Sequence, residues 1–199
     1  MKKRDIDLLF EVGALRRVPR MWIHFLGPDM ANNAEHSYRV AWIALLIAKE
    51  EGVTDTAKIL QMALVHDLTE GRTGDANYLM RQYVKRDDEL AGKDIFAETE
   101  LEGDMLGALE EYRSQATIEA KIVKDADRLD VEFEIREVRS RGMQLPKEWE
   151  EFQRKVADEK LSTDTARSIM RSLPDSDPHS WHTKGRNRFV GGDYSDRQV

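Results

Sequence analysis

The sequence contains no cysteine among its 199 residues, which excludes both disulfide bonds and thiolate metal sites. It also lacks an apolar run of the roughly 20 residues that a membrane-spanning helix requires. The opening segment, MKKRDIDLLF, places two aspartates soon after its basic residues and has no apolar core of a secretory signal. These absences predict a cytoplasmic protein in which histidine and carboxylate side chains hold any metal ion.

Basic residues are fewer than acidic residues. The 31 Lys and Arg residues are outnumbered by 38 Asp and Glu residues, which gives a formal net charge of −7. This balance disfavours a broad nucleic-acid surface, and we expect neither a stable nucleic-acid complex nor a membrane partner. A compact basic patch in LRRVPR, formed by Arg16, Arg17 and Arg20, suits a phosphate group better than a duplex backbone. A nucleic-acid-binding helical protein, based on this patch and on KGRNR, is the least favoured interpretation.

Apolar residues recur at helical spacing along nearly the whole chain. Within residues 34–51, for example, positions 36, 40, 43 and 47 follow one another at steps of four, three and four. Alternating strand patterns and internal repeats are absent. The sequence therefore predicts an all-α helical bundle, and its length suits one domain with a substantial core.

The composition changes after residue 173. Residues 174–199 are rich in Gly, Pro, Asp and Ser, which predicts an irregular C-terminal tail following a domain formed by residues 1–173. We expect Trp181, Phe189 and Tyr194 to dock this tail on the domain or on a neighbouring subunit.

The segment ALVHDLTEGRTGD, residues 63–75, begins as an apolar helix and ends in polar residues. His66 and Asp67 follow the apolar stretch directly, and a buried carboxylate is costly without a partner. His36 and Asp127 also lie in segments that present an apolar face. A single histidine on such a face is more often a hydrogen-bonded core residue, but the four together favour a metal site. Two imidazoles and two carboxylates suit Mn, Co, Ni, Zn or Fe, while Mg is possible but less natural.

Three stretches of this sequence, together with RRVPR upstream, occur in the order typical of a known family: AEHSYRVA, ALVHDLTEGRTGD and AKIVKDADRLD. The chain resembles the HD-domain metal-dependent phosphohydrolases, and it is most similar to the small HD 5′-deoxynucleotidases. The resemblance covers roughly residues 5 to 140. It implies an HD-domain helical bundle and metal-dependent hydrolysis of a phosphate ester.

The resemblance assigns the metal ligands by position. The four matching residues are His36, His66, Asp67 and Asp127, with Asp125 and Asp130 as rivals to Asp127. Glu70 matches the acidic residue that positions or activates the attacking water. Because Glu70 follows His66 by four positions, a continuing helix would carry both on one face. Among the five histidines none lies between Asp67 and Asp127, which favours one metal ion over two.

The resemblance also implies substrate contacts. Arg17 matches the arginine that orients the substrate phosphate, for which a bidentate guanidinium is well suited. Asp75 matches a residue that contacts the sugar and the reacting group. Val18 stands where the nucleotidases often have tryptophan, and Trp22 is the expected substitute.

The reaction expected from these matches is hydrolysis of (deoxy)nucleoside 5′-monophosphates to nucleoside and phosphate. The first alternative is a deoxynucleoside triphosphate triphosphohydrolase, which needs more positive charge around the phosphates. Its possible sources are Arg16, Arg20, Arg81, Lys85 and Arg86. A further alternative is a non-catalytic nucleotide-binding module. Similar proteins suggest a homo-oligomer, with a dimer favoured.

Overall fold

The computed structural model describes residues 2–184 and contains helices but no strands in that range. The prediction of an all-α fold is therefore confirmed. The α-helices are α1 Lys3–Ala14, α2 Ile23–Leu26, α3 Asn33–Glu50, α4 Thr56–Val65, α5 Glu70–Thr73, α6 Asp88–Phe96, α7 Glu102–Ser114, α8 Ile118–Ser140, α9 Glu148–Glu159, α10 Asp164–Ser172 and α11 Ser180–Thr183. Short 3₁₀ turns occupy Leu15–Arg17, Met80–Gln82 and Leu173–Asp175. No helix of the described range combines the length and apolar character needed to cross a membrane.

Helices α3 and α8 pack along each other at the centre of the molecule, and α4 packs against both. The side chain of Asn32 accepts hydrogen bonds from the backbone N–H groups of Ala34 and Glu35, which fixes the start of α3. Thr117 caps α8 in the same way. The buried faces of these two helices are largely apolar, and this packing holds in place the polar side chains that the same helices carry.

A second, smaller apolar cluster lies beside the main core. Leu26 of α2 contacts Ile135 and Val138 near the end of α8, and the partly buried Trp22 and Trp149 pack against them. This cluster brings the segment before α2 and the start of α9 to the same side of α8. The arrangement forms one wall of the cavity described below.

The predicted tail is partly regular in the described range, because residues 173–175 form a 3₁₀ turn and residues 180–183 a short helix. Arg136 Nε donates to the backbone oxygen of Ser176 at 2.7 Å, which joins this segment to α8. Trp181 is 80% exposed. Phe189 and Tyr194 lie outside the described residues, so docking of the tail stays a prediction.

Candidate metal centre and adjoining cavity

Four side chains from three helical segments converge at one point. His36 comes from α3, His66 and Asp67 from the turn that ends α4, and Asp127 from α8. One candidate ligand atom from each lies within 4.8 Å of the other three. His36 Nε2 is 3.2 Å from His66 Nε2, 3.4 Å from an Asp67 oxygen and 3.3 Å from an Asp127 oxygen. Donor atoms about 2.0–2.2 Å from a shared metal ion are separated by similar distances.

The hydrogen bonds of the two histidines involve Nδ1 and leave each Nε2, the nitrogen that faces the centre of the cluster, as an acceptor. His66 Nδ1 is 2.8 Å from the carbonyl oxygen of Ala63, which can only accept, so this nitrogen carries the proton. His36 Nδ1 lies 2.6 Å from Asp130 Oδ2 and donates to it in the same manner. The two Nε2 atoms then face each other at the centre of the cluster, where either a proton or a metal ion must lie between their lone pairs. The residues therefore fit a divalent metal ion.

The charge of the cluster leads to the same conclusion. Burial lowers the pKa of His36, but its hydrogen bonds to Asp127, Asp130 and Asp67 outweigh this effect and leave the pKa well above its usual value. Without a metal ion, a proton on His36 would thus supply the positive charge that the carboxylates require. A metal ion would replace that proton and use Nε2 as a ligand.

The three aspartates of KDADRLD have different surroundings. Asp127 is one of the four clustered candidate ligands, whereas Asp130 accepts a hydrogen bond from His36 Nδ1. Asp125 is fully buried on another side of α8 and accepts hydrogen bonds from the backbone of Ser162 and Thr163. It also accepts one from the Thr163 hydroxyl at 2.9 Å. Asp125 therefore anchors the segment that begins α10, and Asp130 orients a candidate ligand.

Replacing Asp125 with Ala should lower the free energy of unfolding by about 2–4 kcal/mol, since it leaves buried backbone donors without their charged acceptor. Metal content should not change. Chemical denaturation and elemental analysis would measure the two effects. The matched control is Asp164→Ala, which removes an exposed aspartate of α10. Loss of metal at unchanged stability would instead make Asp125 a ligand.

Glu70 is buried beside the metal cluster and has two firm partners. Asn33 Nδ2 donates to its Oε2 at 2.6 Å, and Arg86 Nη1 donates to its Oε1 at 2.8 Å. Burial and the negative charges of Asp67 and Asp75 raise the pKa of Glu70 to about 8, although the Arg86 hydrogen bond acts in the opposite direction. A carboxyl group with such a pKa can take up or release a proton near neutral pH.

The arginine of the basic patch that reaches the metal cluster is Arg20, whereas the family resemblance implies a role for Arg17. Arg20 is buried and donates to Asp67 Oδ2 at 2.8 Å, and its Nε is 4.0 Å from Asp75 Oδ2. Arg17 is exposed and is not among the residues of the described chain that line the cavity. Val18 packs against the main hydrophobic core instead. The phosphate role of Arg17 therefore stays a prediction.

The sequence did not identify Lys124 and Tyr112 as neighbours of the site, and it named Arg86 only as a possible source of charge for a triphosphate. Lys124 Nζ donates to Asp127 Oδ2 at 2.7 Å, and the Tyr112 hydroxyl donates to the same oxygen at 3.1 Å. Lys124 precedes Asp127 by three positions on α8, a helical spacing that could have identified it. Arg86, the partner of Glu70, gives no such signal, because it reaches the site from a loop 16 residues away.

A cavity of about 810 Å³ opens beside the cluster, within the size range of small-molecule sites. Its polar lining includes Arg20, Asp75 and Asp127. Its aromatic lining consists of Trp22, Tyr78, Trp149 and Phe152. The structure thus places Asp75 and Trp22, both expected substrate contacts, in the lining of the same cavity.

Comparison with known proteins identifies related sequences and folds. The family model described as HD domain matches residues 12–169. The 5′-deoxynucleotidase HDDC2 of Bos taurus is 32% identical over 132 residues, a match that covers 63% of this chain and 63% of the bovine protein. The human HDDC2 is 31% identical over 132 residues, covering 63% of this chain and 64% of its own length. These curated relatives are thus matched over less than two thirds of their length.

One solved structure matches a larger share of this chain than the HDDC2 sequences do. A conserved hypothetical protein from Pyrococcus furiosus superposes with a TM-score of 0.69 at 31% sequence identity. The match covers 86% of this chain and 99% of that protein. The helical arrangement described above is therefore that of a complete known domain.

Proposed function

This chain belongs to the HD domain family, and on that premise we propose that it is a metal-dependent phosphoric monoester hydrolase. The proposed substrates are (deoxy)nucleoside 5′-monophosphates, and the products are the nucleoside and phosphate. The observation that carries the proposal is a single cavity whose lining includes Asp127 of the His/Asp cluster, the cationic Arg20 and Lys124, and four aromatic side chains. Such a cavity suits a molecule with an anionic end and a flat heterocyclic end. The name of the HDDC2 relatives, 5′-deoxynucleotidase, supports the same substrate class.

We assign the metal ion to His36, His66, Asp67 and Asp127. Mn, Co, Ni, Zn or Fe suits this ligand set better than Mg. When bound, the ion polarises the phosphoryl oxygen and lowers the pKa of water. One ion is proposed, since the described residues bring no further histidine to this cluster.

The remaining residues have roles in binding and proton transfer. Glu70 accepts a proton from the attacking water while the water oxygen forms its bond to phosphorus. Arg86 and Asn33 hold the carboxyl group of Glu70 in place. The bond between phosphorus and the 5′ oxygen breaks, and that oxygen takes up a proton from solvent as it leaves. Asp75 lies in the cavity lining and is assigned to the sugar or the leaving oxygen.

Two cationic side chains in the cavity lining are assigned to the substrate phosphate. Arg20 and Lys124 contact the metal-site carboxylates Asp67 and Asp127, so their positions are fixed before substrate binds. We also assign Arg17, which is exposed and lies three residues before Arg20, to orientation of the phosphate. Val18 lies beside it, and Trp22 is assigned to the sugar and base.

The wider organisation is also proposed. We infer an HD phosphohydrolase domain over residues 1–173, with residues 174–199 as a tail docked on the domain or on a neighbouring subunit. A cytoplasmic homodimer is the proposed state. An exposed apolar row on α3, formed by Tyr38, Trp42 and Leu46, supports association between subunits.

The test is a product assay on metal-stripped protein resupplied separately with Mn, Co, Ni, Zn and Mg. The panel contains nucleoside mono- and triphosphates in ribo and deoxy forms. We expect free phosphate from the monophosphates. Release of intact triphosphate from deoxynucleotides would support the triphosphohydrolase alternative, for which Arg81 in the cavity lining is a charge source. Tight nucleotide binding without any product would support the binding module.

A further inference from the structure

A buried acid and amide form a pair within the cavity, away from the metal ligands. Gln153 Nε2, from α9, donates to Glu132 Oε2, from α8, at 2.5 Å. Both residues line the cavity, and Glu132 is only 6% exposed. The proposed hydrolysis uses neither residue.

Glu132 lacks the partners that usually accompany a buried carboxyl group. Within residues 2–184 it forms no ion pair, and its Oε1 has no hydrogen-bond partner. Burial raises its pKa to about 7. A buried acid without an ion pair costs stability, and a group on the wall of a ligand cavity can recover that cost when the ligand supplies the missing hydrogen bond.

The position of the pair matches the far part of a bound nucleotide. Glu132 follows Asp127 by five residues on α8, which places it roughly 7.5 Å further along the helix axis. Trp149 precedes Gln153 by one helical turn, and its ring centroid is 6.0 Å from that of Trp22. Aromatic side chains of this kind stack on the faces of nucleobases, while hydrogen-bonding groups beside them contact the base edge.

We propose that Glu132 and Gln153 form a base-recognition site that hydrogen-bonds the edge of the nucleobase while the phosphate lies at the metal cluster. This inference rests on the proposed nucleotidase function and makes the pair determinants of substrate selectivity. The ligand supplies a donor or acceptor to Glu132 Oε1 and to the free groups of the Gln153 amide. A purely structural link between α8 and α9 would not distinguish substrates with a base from substrates without one.

The test compares four 2′-deoxynucleoside 5′-monophosphates with 2-deoxyribose 5-phosphate, which has the same phosphate and sugar but no base. Glu132→Ala should lower kcat/KM for the preferred nucleotide about 10-fold, as expected for the loss of hydrogen bonds from a buried group. It should change kcat/KM for the base-free substrate less than about twofold. Glu132→Gln keeps a donor and an acceptor and should restore part of the loss. Glu119→Gln, on the same helix but outside the cavity lining, is the matched control.

Two results would overturn the inference: an equal fall for both substrate types, or an unchanged kcat/KM for every nucleotide in Glu132→Ala. The proposed function is scored separately in the wild-type protein. If wild type hydrolyses no monophosphate, that function fails. Calorimetric affinities of the same nucleotides for wild type and Glu132→Ala would then decide whether Glu132 contacts the base.

Discussion

Replacing Glu70 with Gln should reduce kcat by about 10²- to 10⁴-fold while the metal content stays at the wild-type value, because the amide cannot accept a proton from water. Glutamine has nearly the same shape and keeps an oxygen for the Asn33 or Arg86 hydrogen bond. Binding of substrate should therefore change little. Single-turnover kinetics with metal analysis would measure the effect.

The pH profile gives a second measure of the same role. Glu70 acts as a base only when ionised, so activity is lost as pH falls through its pKa, which is about 8 before a metal ion is present. A bound cation favours the ionised form, and the acidic limb of the profile should lie at or below that value. This limb should be absent from Glu70→Gln.

The matched control is Glu11→Gln, because Glu11 also forms a close pair with an arginine, Arg72, but, unlike Glu70, lies in no ion pair with Arg20 beside the metal ligands. It should retain the wild-type rate and pH profile. A Glu70→Gln variant that hydrolyses substrate at the wild-type rate would show that Glu70 is not the base. Loss of metal in that variant would place Glu70 among the ligands or their supports.

Replacing Asp67 with Ala should remove metal binding and hydrolysis together. The substitution removes one of four candidate ligands and leaves Arg20, its partner at 2.8 Å, beside the metal site. We expect the metal affinity to fall by about 100-fold or more, because replacing a residue that only supports a ligand already lowers the affinity by about 10- to 100-fold. Calorimetric titration of the stripped protein with Mn and Zn would measure it.

Metal-dependent stability provides a readout that does not require turnover. A ligand present at 100 times its Kd stabilises the folded state by about 2.7 kcal/mol, so metal should raise the melting temperature of the wild-type protein. The Asp67→Ala protein should show almost none of this increase. Asp94→Ala, an exposed aspartate on α6, is the control and should respond as wild type does. Full metal stoichiometry in Asp67→Ala would remove Asp67 from the ligand set.

The sequence alone determines much of this protein because the relevant signals are local. The recurrence of apolar residues at helical spacing predicts the bundle, and α3 begins at Asn32, a favourable capping residue. Polar residues at positions where the helical pattern predicts apolar ones indicate a metal site formed by histidine and aspartate side chains. Absence of cysteine limits the chemistry of that site to imidazole and carboxylate. Each of these inferences requires only neighbours within a few turns of one helix.

The tertiary structure decided the questions that depend on distant segments. Asp127 and Asp130 lie three residues apart on one helical face, and only the position of α3 shows that one oxygen joins the cluster while the other holds His36. Arg17 and Arg20 lie in a 3₁₀ turn and a loop, where no periodicity distinguishes the buried arginine from the exposed one.

The cavity is the clearest case of this division. Its aromatic lining combines Trp22 before α2 with residues of α9 more than 120 positions later in the chain, and Glu132 meets Gln153 only because the fold brings α9 within side-chain reach of α8. Periodicity reports which face of a helix is buried, but it carries no information about which other helix covers that face. The sequence by itself therefore determined the all-α bundle and the histidine and carboxylate character of the candidate metal site. Packing between helices decided which arginine is buried, which side chains support the ligands, and which aromatic side chains line the cavity.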